Sequence, residues 1–335
     1  MNKYTKLALA MAAILPAGAA FACASCGCTL NSDFGTQGLS TEAGWSLDVR
    51  YDTLDQNQLR SGTGTISAVA AAGTTNAATG DPAEVEKFTN NRYLTATLDY
   101  NNGNSWGVSV VLPYIDRSHS TLGIGSDGSS PDPLGGGGNY DSNTSGIGDV
   151  KVIGRYYGLS ENKNFGLQFG LKLPTGATKQ QSNDGQGIDV DPGLQLGTGT
   201  TDVIVGAYYF DNLNQNWDYF LQAQFQFALN SSTMAAGDYK PGDSVNLTGG
   251  LRYHGFESYT PTMQINARQV NADSGVAADT YATGGTLVYF TPGVTVLVTP
   301  TFSVYSNVQI PIYQNMNGIQ LAPTSIFSIG ARVSF

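Results

Sequence analysis

Charge is what this sequence has least of. Acidic and basic residues make up 13% of its 335 residues, about half the quarter usual in soluble domains. The scarcity falls hardest on the basic side: 16 Lys and Arg against 26 Asp and Glu give a net charge of −10. Nucleic-acid binders carry a basic face, so that class of partner is excluded. Histidine is limited to His119 and His254. An enzyme of the Ser–His type needs that pair oriented by a third group. His119 falls in an expected long loop and His254 at the end of an expected strand, so the chain reads as no enzyme, with His119 solvated and His254 hydrogen-bonding inside. No segment after the first 22 residues holds 18 consecutive apolar residues, which excludes a membrane helix. The Ala, Leu, Glu and Lys richness of a helical protein is missing too. In its place stand 42 Gly, 18 Tyr and 14 Phe.

Residues 1–22 read as an export signal. Lys3 and Lys6 give a basic start, an apolar stretch broken by Pro16 follows, and Ala20-Phe21-Ala22 is a small-x-small cleavage site. The apolar run falls short of the roughly 20 residues of a spanning helix. Phe21 stands where lipoprotein signals prefer a small residue, which argues against lipid on Cys23.

The rest of the chain has a period of two. Trp45, Leu47, Val49 and Tyr51 alternate with Ser46, Asp48, Arg50 and Asp52, and Phe327, Ile329, Ala331, Val333 and Phe335 alternate with Ser328, Gly330, Arg332 and Ser334. Similar segments of roughly ten residues recur between them, for about twelve in all. A soluble sandwich would alternate as well. Two features favour a membrane barrel. Aromatic residues cluster at segment ends (Trp45 and Tyr51, Tyr100 and Trp106, Trp217 and Tyr219), where interfacial girdles sit. Connections alternate in length as well: residues 52–90, 116–145, 175–200, 230–243, 271–284 and 313–324 are long, and 101–104, 159–164, 211–216, 255–258 and 299–300 are short. The fold expected is an all-β, transmembrane, antiparallel up-and-down β-barrel of about twelve strands spanning 44–335. It would sit in the outer membrane of a Gram-negative bacterium with both termini periplasmic. Between the signal and the barrel, residues 23–43 form a Cys-rich periplasmic segment. In lipid every amide must find a partner within the protein, so strands can cross only as a closed ring. Twelve strands lie between filled eight-stranded barrels and open porins, so a narrow lumen, partly filled by side chains or an inward loop, is expected.

The polar face of the strands would line that lumen. It carries Arg50, Lys151, Arg155, Lys172, Arg252, Arg268 and Arg332, with the acids Asp48, Asp52, Asp99, Asp149 and Asp202. Such a wall favours anions or polar groups on a passing solute; alternatively its charges pair and hold the lumen shut. Residues 61–80 and 123–143 read as flexible outer loops. The Gly135 to Gly138 run lacks the Lys and Ser/Thr of a phosphate loop. Asp184, Asp189 and Asp191 share an outer loop without the spacing of a calcium hand, and read as a solvated acidic loop.

Several short glycine motifs are distinctive: Gly146-Ile147-Gly148-Asp149-Val150, Leu171-Lys172-Leu173-Pro174-Thr175-Gly176, Leu196-Gly197-Thr198-Gly199 with Asp202, Ile310-Pro311-Ile312-Tyr313, and Gly318-Ile319-Gln320-Leu321. With the final strand they make the chain, after about Trp45, resemble the outer-membrane barrel family labelled "putative MetA-pathway of phenol degradation". The resemblance implies a barrel that passes small solutes, aromatic ones among them.

The cysteines stand apart from that pattern. All three lie in Cys23-Ala24-Ser25-Cys26-Gly27-Cys28, in what would be the oxidising periplasm. Three thiols cannot pair completely within one chain. A c-type haem site needs Cys-x-x-Cys-His, and residue 27, where the His would stand, is Gly. Three readings stay open: a tail with one incidental disulfide, a redox contact with a periplasmic partner, or a thiolate site for a soft metal ion such as Cu(I). A binding or scaffold role through Cys23, Cys26 and Cys28 is thus the alternative to passive transport. Otherwise no cofactor is expected, and the partners are membrane lipid and a small solute.

Overall fold

The computed structural model describes residues 43–335 apart from 76, 78–79, 81, 124–129, 131, 135–138, 184–186 and 188. The proposed signal, Cys23, Cys26 and Cys28, the Gly135 to Gly138 run and Asp184 lie outside the described residues.

Eleven long strand segments follow one another around a closed antiparallel sheet: β1 (Gly44–Gly62), β3 (Val85–Asn101), β4 (Trp106–Leu122), β6 (Lys151–Tyr156), β7 (Phe165–Lys172), β8 (Asp202–Asn212), β9 (Trp217–Ala228), β12 (Ser244–Tyr253), β13 (Tyr259–Val270), β14 (Gly285–Thr299) and β15 (Phe302–Ser334). The first closes on the last through a register from Ser46↔Ser334 to Gly62↔Met316. A ring whose every neighbour is antiparallel must contain an even number of passes, and β15 supplies the extra one. Its 33 residues would reach about 110 Å if straight, against about 30 Å of hydrocarbon. Instead, residues 302–316 run along β14 and residues 319–334 return along β1. The two limbs touch, as Gln314 Nε2 donates to the Pro323 carbonyl at 2.8 Å and Ser306 Oγ to the Ser328 carbonyl at 3.0 Å. The reversal falls at Gly318, whose φ of +53° places it in the left-handed region. The wall therefore has twelve passes, and both ends of the barrel lie on one rim.

Polarity is inverted through the lower storey of this wall. Leu47, Val49, Leu94, Leu98, Val110, Leu112, Phe169, Leu171, Leu221, Leu247, Ile265 and Ile329 are exposed on the outer face, while their neighbours in the strands, such as Asp48, Thr97, Asp99, Ser109, Gln168 and Ser328, are buried inside. A contiguous exposed apolar band around a closed sheet is the surface that lipid covers. Rings meet along the rim of the termini: Trp45–Tyr100 at 4.9 Å, Tyr100–Trp106 at 5.5 Å, Trp217–Tyr253 at 4.9 Å and Phe256–Tyr259 at 4.3 Å between centroids. Indole and phenol rings, part apolar and part polar, suit the membrane interface.

Beyond the belt the polarity reverts to that of ordinary soluble protein. On β1 the outward positions after Tyr51 are Thr53, Asp55 and Asn57, and Leu54 points inward. Leu54 joins Leu287, Tyr289, Met316, Leu321, Ala322 and Ile326 in a buried core at the long-loop end. Ala71, Ala72, Val85, Leu122 and Ile319 form a second. Three expected loops are corrected by this reversal. Residues 52–90 hold the upper halves of β1 and β3, with the two-residue strand β2 (Gly64–Thr65) and a short helix α1 (Ala68–Ala72) capped by Ser67 between them, so the expected flexible loop of residues 61–80 is partly helix and core. Residues 116–145 hold the end of β4 and most of β5 (Asn139–Ile147), which pairs with it. Residues 313–324 are a tight hairpin. Residues 230–243 carry a small hairpin of β10 (Ser232–Met234) and β11 (Gly237–Tyr239).

Leu98→Arg, in the middle of the belt of β3, should cost about 2–4 kcal/mol of unfolding free energy in lipid bilayers, measured by denaturant titration of the reconstituted barrel. A neutral result would contradict lipid contact at that position.

Candidate functional site

The alternation of the strands delivers the polar residues to the interior. Asp48, Arg50, Asp52, Asp99, Arg155 and Lys172 are all buried there; Lys151, Arg252, Arg268 and Arg332 are half-buried on the same inner face. Many of these charges pair. Arg155 Nη2 lies 2.6 Å from Asp99 Oδ1, Arg50 Nε 2.9 Å from Asp52 Oδ2, and Arg252 Nη2 2.7 Å from Asp218 Oδ2. Tyr305 Oη donates to Asp48 at 2.8 Å, Ser328 Oγ to Asp52 at 2.6 Å, and Arg332 to Ser46 Oγ at 3.0 Å. His254 meets Asp218 at 2.7 Å, but it lies exposed just past the end of β12. His119 departs from expectation. It is buried in β4 rather than solvated in a loop, with Nδ1 2.8 Å from Thr89 Oγ1. Burial, together with nearby Arg117, lowers its pKa to about 4, so the ring is neutral at pH 7.

Towards the long-loop end a segment folds into the bore. Its base is Asp149. This carboxylate accepts from Gly176 N at 3.0 Å, Thr198 N at 3.0 Å, Thr198 Oγ1 at 3.1 Å and Lys172 Nζ at 3.0 Å. Lys172 also reaches Asp202 at 3.2 Å and bonds Thr198. The three glycine motifs around Asp149, Lys172 and Leu196 thus meet in space although Asp149 and Thr198 are 49 positions apart. Close approach explains their glycines: a Cβ on Gly176 would lie 2.7 Å from Gly197 Cα. From this base the 3₁₀ turn Pro192–Leu194 enters the bore. Arg117 Nη1 donates to the carbonyls of Gly193 at 2.9 Å and Gln195 at 3.4 Å, and Leu196 packs against Tyr93 and Ile115.

Beneath this segment lies a cavity of about 260 Å³. Arg50, Arg117, Lys151, Lys172 and Arg268 line it, against Asp149, Asp202 and Asp273. Arg117 and Asp218 were not foreseen. Arg117 continues the alternation of Pro113 and Ile115 above the belt, and Asp218 continues that of Gln222 and Phe220; stepping each strand two residues further would have found both.

The mouth at the long-loop end is acidic. Glu86 Oε2 accepts from Leu321 N at 3.1 Å. Burial pushes Glu86 up to about 7, with Asp191, Asp279 and Glu84 adding to the rise. Asp191, accessible yet surrounded by loop atoms, is raised by that enclosure and by Asp279, and burial raises Asp273, which Tyr239 and Gly242 hold. Asp189 accepts from Gln181 at 3.3 Å. Among the described residues no group of three or more His, Cys, Asp and Glu is arranged to hold a metal ion.

The chain resembles solved outer-membrane β-barrels. The COG4313 outer membrane channel from Pseudomonas putida F1 matches at 14% identity with a TM-score of 0.59, over 90% of this chain and 99% of that one. The NanC porin matches with a TM-score of 0.44 at 10% identity over 86% and 100%, and the toluene transporter TodX of P. putida with 0.44 at 9% over 91% and 93%. No family model and no curated protein matches the chain. At 14% identity the likeness to the COG4313 channel defines the fold alone, that of an outer-membrane β-barrel.

Two outcomes are expected. Asp149→Ala removes the anchor of the inward segment, so the single-channel conductance of the reconstituted barrel should rise at least twofold; unchanged conductance would contradict an obstructing segment. Glu86, with its folded pKa raised, binds in the fold a proton that the unfolded chain has released between about pH 4.5 and 7. Stability therefore falls as pH rises through that window. Denaturant midpoints should show this slope in the wild type and lose it in Glu86→Gln; matching slopes would contradict the buried acid.

Proposed function

We propose that this chain is a channel of the Gram-negative outer membrane for the passive passage of small anionic solutes, with both termini in the periplasm. The observation that carries the reading is the excess of cations around the bore cavity. Among the described residues Arg268 has no carboxylate partner and Arg117 is held by neutral oxygens. A constriction lined by one sign admits the opposite sign. The acidic mouth opposes this less than its residue count suggests, since Glu86, Asp191 and Asp273 all hold protons more tightly than usual. Short turns share the rim of the termini, the arrangement of periplasmic rims in such barrels. The resemblance to phenol-pathway barrels supports small solutes with aromatic bodies among the cargo.

Planar bilayers test this. Under a KCl gradient the reversal potential should take the sign of chloride preference, and Arg268→Glu should reduce or invert it. A cation-preferring wild type would contradict anion passage, and a barrel that is folded but silent would contradict the channel.

The tail keeps a separate proposal: Cys23, Cys26 and Cys28 engage a periplasmic redox or metal partner. Replacing all three by serine should abolish capture of that partner or of Cu(I), and unchanged capture would overturn it.

A further inference from the structure

The cavity in the bore is chemically two-sided. On β4 and β6 its lining holds an apolar patch of Val111, Pro113, Ile115 and Ile153 between Arg117 and Lys151, and Leu196 of the inward segment extends that patch. On β12 and β13 the lining includes Ser244, Val270, Asn246 and Arg268, of which Asn246 and Arg268 stand opposite each other in the ladder. Counted around the twelve passes, β13 and β4 are six apart, so these flanks face one another across the bore.

The cations of the cavity differ in how they are satisfied. Lys172 is held between Asp149 and Asp202, and Arg50 by Asp52. Arg117 is spent on Asn91, Tyr93 and the carbonyls of the inward segment. Arg268 has no ion pair among the described residues, and its buried Nε has no hydrogen-bond partner. The buried Oδ1 of Asn246 has none either. A guanidinium held in a protein wall is a bidentate receptor for a carboxylate, and buried polar atoms are ordinarily satisfied.

We propose that this cavity is a binding site for small organic carboxylic acids with a compact apolar body. The carboxylate sits on the fork of Arg268, and the body lies against Ile115, Ile153 and Leu196. The volume of about 260 Å³ suits one such molecule. An inorganic anion leaves the apolar patch wetted, and an uncharged analogue leaves Arg268 without its counter-ion. The inference rests on the channel reading and narrows its cargo.

Benzoate, acetate and benzyl alcohol serve as probes, titrated calorimetrically into the purified full chain in detergent and added to bilayers carrying chloride current. Benzoate should bind at least tenfold more tightly than acetate or benzyl alcohol. Arg268→Gln should weaken it tenfold or more, Arg268→Lys should restore part of the loss, and Leu196→Asn should weaken it at least threefold. Each variant is checked for the heat-modifiable mobility of a folded barrel. Equal affinities for benzoate and acetate, or an unchanged affinity in Arg268→Gln, would overturn the site. Chloride-selective current without benzoate preference would overturn it while sparing the channel reading. A silent barrel that binds benzoate would spare the site and contradict the channel.

Discussion

A strand crossing lipid has no water to satisfy its amides, and this constraint organises the whole molecule. It requires the sheet to close, and closure with antiparallel neighbours requires an even number of passes. The reversal inside β15 at Gly318 meets that requirement. Closure also fixes the alternation, because one face of each strand meets lipid and the other meets the bore. The exposed row Leu47, Val49 and Tyr51 beside the buried row Asp48, Arg50 and Asp52 is the local consequence. Above the belt the same strand is bathed in water outside, and the polarity turns over at Leu54.

The interior consequences follow from burying charge. A lone carboxylate or guanidinium inside the barrel would be costly, so most find partners: Asp99 with Arg155, Asp218 with Arg252, Lys172 between two aspartates. These pairs tie passes together, Asp99 and Arg155 across the intervening β4, and fill the lower bore. Asp149 does more, because its four hydrogen bonds hold the inward segment at the level where the strands leave the belt. Arg268 has no ion pair among the described residues, and it lines the cavity. The local chemistry of the cavity thus comes from a guanidinium without a carboxylate set across from the apolar patch of Val111, Pro113, Ile115 and Ile153.

Much of this was legible in the sequence. Period two gave the twelve passes, the aromatic rim and the inner position of Arg155 or Lys172, because lipid outside and water inside write the largest possible contrast on alternate residues. The upper storey was hidden by the same logic. At Leu54, Tyr289 and Leu321 an apolar residue means inside, so a reading that equates apolar with lipid stops at Tyr51 and takes the remainder for loop. His119 was misplaced for this reason. The meeting of Asp149, Lys172 and Thr198 was out of reach for another. Its glycine motifs are visible one by one, but nothing local states that Gly176 and Gly197 touch.

The central claim is that the outer face of the wall meets lipid through the belt and water above it. A nitroxide scan of single cysteines at residues 45–57, in a chain with Cys23, Cys26 and Cys28 replaced by serine, tests it directly in reconstituted bilayers. The account predicts high oxygen accessibility at 47, 49 and 51, low accessibility at 48, 50 and 52, and aqueous-reagent accessibility at 53, 55 and 57. Absence of the alternation, or contact of the aqueous reagent with 47 and 49, would contradict it.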